Sequence, residues 1–244
     1  MRAVAIVQAR MGSARLPGKI LADLAGEPML ARVVARVGRA AGLAEVIVAT
    51  TDEPADDAVA TLAALRGWRC VRGSRDDVLS RYIKAAETTT ADAFVRITAD
   101  CPLADPAVID AHLAAFAAPP AVDYASNTLP PRSFPRGLDV EVIGSEALHA
   151  AGRDDDAPAS REHVTPFIYR HPERFRLRPV CHADDLSAYR VTVDTSEDLA
   201  LVREIYRHFG GRDDFSWLDA VAVLRARPEW VELNRHVAQR EAAG

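Results

Sequence analysis

The chain has 244 residues, 49% hydrophobic and 27% charged, enough for a sizeable core in one large domain or two small ones. A formal net charge of −5 argues against a broad nucleic-acid face. No apolar run approaches the roughly 18–20 residues of a membrane span, and the run at 3–7 is too short for a signal peptide. Three widely spaced cysteines (Cys70, Cys101, Cys181) make neither a disulfide framework nor a CxxC metal site, so a cytoplasmic protein is expected. Of the 30 basic residues only Lys19 and Lys84 are lysine, so a lysine in a glycine-rich loop stands out.

In chain order, 3–8 reads as a buried strand and is followed by a Gly/Arg/Pro loop. Residues 28–37 place Met29, Leu30, Val33, Val34 and Val37 on one helical face. A strand at 45–51, a helix at 55–66, a short strand at 70–71, a helix at 76–88 and a strand at 93–99 follow. This alternation predicts a parallel sheet with helices on both faces. Beyond 119 the rhythm changes. A short strand at 123–126, a Pro/Asn/Arg-rich loop at 127–137 and an alternating strand at 138–143 are predicted. Then come a helix near 160–170, strands at 175–181 and 189–194, and helices at 196–209, 216–226 and 228–240. No repeat and no clear linker occurs, so 1–244 reads as one domain.

The loop after the first strand, QARMGSARLPGK over 8–19, carries the strongest chemical signal. Ligands of open α/β sheets bind beyond the carboxyl ends of strands. Gly12 and Gly18 permit close backbone approach to an anion, and Arg10, Arg15 and Lys19 supply positive charge. Five residues separate Gly12 from Gly18, and Ile20 stands where a Walker loop has Ser or Thr. The loop is therefore neither a Walker A nor a dinucleotide fingerprint. On spacing alone it is either a phosphate cradle or a solvated turn.

Two strand ends carry Asp100 and Asp194. Both aspartates can meet at the sheet rim and hold one Mg2+ through oxygen. The plainer alternative makes Asp100 a turn former before Pro102 and Asp194 a helix cap beside the TSED capping pattern at 195–198. Asp139 and Glu141, spaced i and i+2 on an alternating strand, share one face. They suit a second metal site, an acceptor contact or the wet face of an edge strand. Asp154, Asp155 and Asp156 read as a solvated turn; His112, His149, His171, His182, His208 and His236 read as surface residues.

The segment AIVQARMGSARLPGK at 5–19 resembles the opening of the cytidylyltransferases that activate sugar acids, the CMP-KDO and CMP-acylneuraminate synthetases. It is most similar to the branch of the spore coat polysaccharide biosynthesis protein F. Ordered blocks extend the resemblance: RGSRDDVLSRY at 72–82, RITADCPL at 96–103, Ser126-Asn127, GLDVE at 137–141, EHVTP at 162–166 and VDTSEDL at 193–199. The resemblance implies a three-layer α/β/α sandwich with a mostly parallel sheet, of nucleotide-diphospho-sugar transferase type. It implies CTP and a small anionic acceptor as substrates, Mg2+ held by Asp100 and Asp194, and a homodimer. It also implies catalysis by Arg10, Lys19 and Asp100. Substrate contacts are expected from Gln8, Ala9, Gly12, Ser13, Arg15, Ser74, Asp77, Arg81, Asn127, Arg136, Asp139, Glu141 and His163. Two rivals are a glycosyltransferase with a nucleotide-sugar donor and a nucleotide-binding protein without turnover. The first needs no cationic triphosphate loop, and the second no intact aspartate pair.

Overall fold

The computed structural model describes residues 1–238. Strand β1 (Ala3–Gln8) leads through the loop and a 3-10 turn (Lys19–Leu21) into a small ribbon, β2 (Asp23–Leu24) and β3 (Glu27–Pro28), then helix α1 (Met29–Val37). Next come β4 (Leu43–Thr51), α2 (Asp57–Arg66), β5 (Arg69–Gly73), α3 (Val78–Ala86), β6 (Ala93–Thr98) and α4 (Pro106–Ala117). The second half holds β7 (Tyr124–Ser126), β8 (Glu141–Gly144), α5 (Ser145–Asp154), α6 (Pro158–His163), α7 (Pro166–Tyr169) and β9 (Leu177–Pro179). It closes with α8 (Ser196–His208), α9 (Trp217–Ala226) and α10 (Pro228–Val231).

Seven strands form one sheet in the order β5-β4-β1-β6-β8-β7-β9. Pairing is parallel between β5, β4, β1 and β6, and again between β7 and β9; β8 alone runs opposite to its neighbours. The period-two pattern of β1 explains the layers. Ala3, Ala5 and Val7 face a core closed by α1, α4, α8 and α9, while Val4 and Ile6 face a second core closed by α3, α5 and α7. Both faces are buried, as a parallel sheet requires. Each fully buried Val or Ile of β1 contributes about 1.5–3 kcal/mol relative to exposure. The expected α/β/α sandwich with a mostly parallel sheet is therefore present.

Several expectations need correction. Helices α4 and α5 were not predicted. Asp105 caps α4 by accepting from Ala107 and Val108 N–H, and Pro106 occupies its first turn. The predicted strand at 138–143 begins only at Glu141, so Asp139 precedes it. Residues 189–194 form no strand, and among the described residues a single bridge, Arg136 to Arg190, is their ladder contact. The predicted helix 228–240 is one turn, α10, followed by further turns; residues 239 and 240 lie outside the described residues. Asp155 is buried, accepting from Ala157 N–H and the Ser160 hydroxyl, so the acidic run is not a solvated turn. His112 is fully buried beside Phe134 rather than at the surface.

Gly137 joins the later segments to the sheet. Its φ is +102°, and a Cβ there would lie 2.4 Å from Thr192 N. Glycine therefore lets the 127–137 loop press on the 189–194 segment, with hydrogen bonds from Arg136 N to Tyr189 O and from Val191 N to Arg136 O. Val193 N then bonds to Asp100 O, which brings the two aspartates to one rim.

Candidate active site

The loop after β1 is held by its own hydrogen bonds and by Asp56. Ser13 N and Gly18 N both donate to Met11 O, and Met11 N donates to the Asp56 carboxylate at 2.6 Å. The Thr51 hydroxyl also bonds to Asp56 and fixes it. Gly18 adopts φ +74° and starts the 3-10 turn at Lys19, which turns the lysine back under the loop. Gly12 leaves open space on its Cβ side. A cavity of about 260 Å3 results, lined by Gln8, Arg10, Gly12, Ser13, Arg15, Lys19, Thr98, Asp100 and Asp194 among others.

Lys19 is the centre of this cavity's floor. Its Nζ donates to Asp100 Oδ2 at 2.9 Å, Asp194 Oδ1 at 2.9 Å and Val193 O at 2.7 Å. Burial opposes its charge, yet the two carboxylates beside it raise its pKa above the usual lysine value. Burial likewise works against the Asp194 charge, but Lys19, Arg190 and Arg15 together hold that carboxyl below the usual range. Arg15 and Arg190 both reach Asp194 Oδ2, at 2.9 and 2.8 Å. Arg190 also grips Asp198, whose Oδ1 accepts from Asn234 as well. The helix cap of α8 is Thr195, in a capping box with Asp198. Asp194 is thus not the capping residue. It points to the cavity.

The residues present fit a divalent ion. Three oxygens from Asp100, Asp194 and Val193 already surround one cationic nitrogen at 2.7–2.9 Å, so this rim is a cation position made of hard oxygen donors. Among the described residues no group of three or more His, Cys, Asp or Glu side chains offers a fuller metal cluster.

A second cavity of about 150 Å3 shares Gln8 and Arg10 with the first and adds Ala9, Val78, Arg81, Glu162 and His163. Arg81 is 2% exposed, and its Nε and Nη1 find no hydrogen-bond partner among the described residues. A buried, unsatisfied guanidinium is costly unless a ligand completes it. Burial lowers the His163 pKa, the main cause among several, and so favours the neutral ring. Gln8 Oε1 accepts from Tyr82 at 3.1 Å, which fixes the amide at the junction of the two cavities.

The structure does not bring every expected residue here. Asp77 caps α3 through Ser80 N and pairs with Arg161, while Ser74 accepts from Asp77 N. Asn127 is buried, donating to Leu138 O and accepting from Val140 N. Asp139 pairs with Arg132. Glu141 is buried and takes Arg96, the Tyr124 hydroxyl at 2.6 Å and the Thr165 hydroxyl at 2.6 Å. Arg136 lines a different cavity of about 600 Å3, with Arg190 and Asn234 in its wall. Sequence reasoning missed Arg190, Glu162, Asp56 and the Val193 carbonyl. Glu162 opens the EHVTP block and was legible there, but only tertiary contact reveals the others, since a lone arginine or a backbone oxygen carries no motif.

A parallel sheet with a cationic loop and paired carboxylates at its carboxyl edge defines a nucleotidyltransferase-type α/β protein. The comparisons with known proteins take the assignment further. A family model described as cytidylyltransferase matches residues 4–208, and the chain belongs to that family. It is 32% identical over 231 residues to the spore coat polysaccharide biosynthesis protein SpsF of Bacillus subtilis, covering 92% of this chain and 94% of that protein. The solved structure of a cytidylyltransferase from Leptospira borgpetersenii superposes with a TM-score of 0.90 at 30% identity, covering 99% of this chain and all of that one. A CMP:2-keto-3-deoxy-manno-octonic acid synthetase complexed with CTP has the same fold, with a TM-score of 0.66 at 22% identity over 86% of this chain and all of that one. The protein is a nucleotidyltransferase of the cytidylyltransferase family. Among the described residues no helix is long and apolar enough to cross a membrane.

Proposed function

We propose that this protein transfers CMP from CTP to a sugar acid or another small anionic acceptor, releasing pyrophosphate, in the synthesis of a surface polysaccharide. The observation that carries the reading is the Lys19 cluster, where a cationic loop around Gly12 adjoins two carboxylates at one rim. The octonic acid synthetase structure that shares this fold holds CTP, which supports the same nucleotide here.

In this reading Arg10, Arg15 and Lys19 take the β- and γ-phosphates and neutralise charge as pyrophosphate departs. Gly12 and Ser13 let the loop backbone approach the phosphates. Asp100 and Asp194 would hold Mg2+, which when bound polarises the α-phosphate. An acceptor oxygen attacks the α-phosphorus in line, and the protein contributes mainly position and charge. The buried Arg81 guanidinium, beside Gln8 and Ala9, supplies unpaired donors for the carbonyl and ring nitrogen of cytosine. In the same reading His163, which lines that cavity, would contact the acceptor. A cytoplasmic homodimer belongs to the same proposal, and sedimentation of the purified chain checks the dimer.

Calorimetry with Mg2+ across CTP, CDP, CMP and nucleotide sugars tests the nucleotide. CTP is expected to bind tightest; tighter binding of a UDP- or GDP-sugar would make the protein a glycosyltransferase. A pyrophosphate-release screen over sugar acids and phosphorylated acids then identifies the acceptor. CTP binding with no release on any acceptor would favour a binding protein without turnover.

A further inference from the structure

Every cation of the phosphate loop is already paired with a carboxylate. Arg10 lies 3.6 Å from Glu162, Arg15 lies 2.9 Å from Asp194, and Lys19 lies 2.9 Å from both Asp100 and Asp194. We infer that Lys19 occupies the metal position in the free protein, so that nucleotide and metal enter together by an exchange of ion-pair partners. The inference rests on the proposed function, since it takes the cavity to receive a triphosphate and a divalent ion.

The charges decide the order of events. A divalent ion alone would meet Lys19 and Arg15 still seated on the aspartates, adding like charge in a partly desolvated pocket. A triphosphate alone would face Asp100 and Asp194 across the same small cavity. When both enter, the phosphates take the three loop cations and the metal takes the two carboxylates. Only Glu162, whose side chain is half exposed, gives up its partner to solvent. Lys19 has the reach for this move, because its flexible stem is anchored at the first residue of a short turn after Gly18. Arg190 does not belong to the loop. It stays on Asp194 while bound to Asp198, and Asn234 secures Asp198 in turn. Asp194 therefore keeps its aim when Lys19 departs. Such an exchange makes metal and nucleotide binding strongly and reciprocally cooperative.

The chain has only two lysines, so lysine side-chain nitrogen NMR gives two ammonium signals, and Lys84→Arg assigns them. The Lys19 signal should be unmoved by Mg2+ alone and shift when CTP and Mg2+ are added together. In a nucleotide-free arm, Mn2+ binding is followed by electron paramagnetic resonance. Lys19→Met should bind Mn2+ about tenfold or more tighter than the wild type, the range of a typical coupling between two ligands. Lys19→Gln repeats the measurement should the methionine variant fail to fold. Equal Mn2+ affinity in wild type and variant, or a Lys19 signal displaced by Mg2+ alone, would overturn the exchange. So would a Lys19 signal that stays still while calorimetry shows CTP and Mg2+ bound. Absence of CTP binding at any metal concentration would instead overturn the proposed function, and the nucleotide-free arm would still decide what occupies the cation position.

Discussion

The loop after β1 and the stretch from 127 to 141 carry polar residues of the same kinds, yet they differ in what those residues hold. Around the loop, Arg10, Arg15 and Lys19 line an open cavity and make ion pairs at its edge. In 127–141, Asn127 spans two backbone groups of 138–140, and Glu141 is enclosed by Arg96, Tyr124 and Thr165. Those groups are satisfied by the protein itself. A polar residue in a family motif can therefore build the wall of a site rather than touch the substrate. Cavity access and the identity of the partners separate the two cases.

The sharpest way to break this contrast is at the rim. Asp100→Asn should lower turnover by about a thousandfold, the scale of a lost electrostatic contact in a dry site, with melting temperature nearly unchanged. Asp194→Asn should match that loss of turnover and also lower the melting temperature, since Lys19, Arg15 and Arg190 share its carboxylate. The double variant should turn over little more slowly than either single, since the two act as a unit. Steady-state rates on the identified acceptor check this, and strict additivity would argue that they do not share one ion.

Glu141→Gln should behave in the opposite way. It leaves Arg96 buried opposite a neutral amide, at a cost of roughly 3–5 kcal/mol of stability. Denaturant unfolding measures the loss, and calorimetry at low temperature should find CTP affinity within a few fold. A stable variant that no longer binds CTP would move Glu141 from wall to ligand.

His112 extends the same region, since it packs on Phe134 of the 127–137 loop. Burial lowers its pKa from 6.5 to about 4 against a weaker opposing bond to Val108 O. The unfolded chain takes up this proton first, so the contribution is full above pH 6.5 and is lost as pH falls towards 4. A shift of this size corresponds to at most about 3 kcal/mol. The difference in unfolding free energy between wild type and His112→Phe should change across that window and be flat above it.

The smallest effect is expected at Asp77→Asn. Asparagine caps a helix as well as aspartate does, and the Arg161 pair is partly exposed, so the loss should stay under about 1 kcal/mol. An unchanged KM for CTP would keep Asp77 in the scaffold; a tenfold rise would return it to the substrate.

By itself the sequence determined the first half of the fold and the clustering of charge in its first loop. The strands at β1, β4 and β6 are β-branched runs that need burial on both faces, and α1 and α3 carry one apolar stripe each, so local pattern and tertiary fate agree. The cations and glycines at 8–19 are contiguous, so their gathering around one cavity is legible in one dimension. Helix α4 was missed because its own alanines lie on every face and blur the stripe, although Asp105-Pro106 was a readable start signal. Segment 189–194 alternates like a strand, but strand identity needs a partner ladder, and among the described residues it has one bridge. Only tertiary structure decided that Asp100 and Asp194 meet on Lys19, because 93 residues separate them and a glycine-dependent contact at Gly137 rejoins them. Tertiary structure also decided that Glu141 and Asn127 are spent on the protein's own groups. Hydrogen-bond partners remote in sequence settle a polar side chain's role, and no local pattern encodes them.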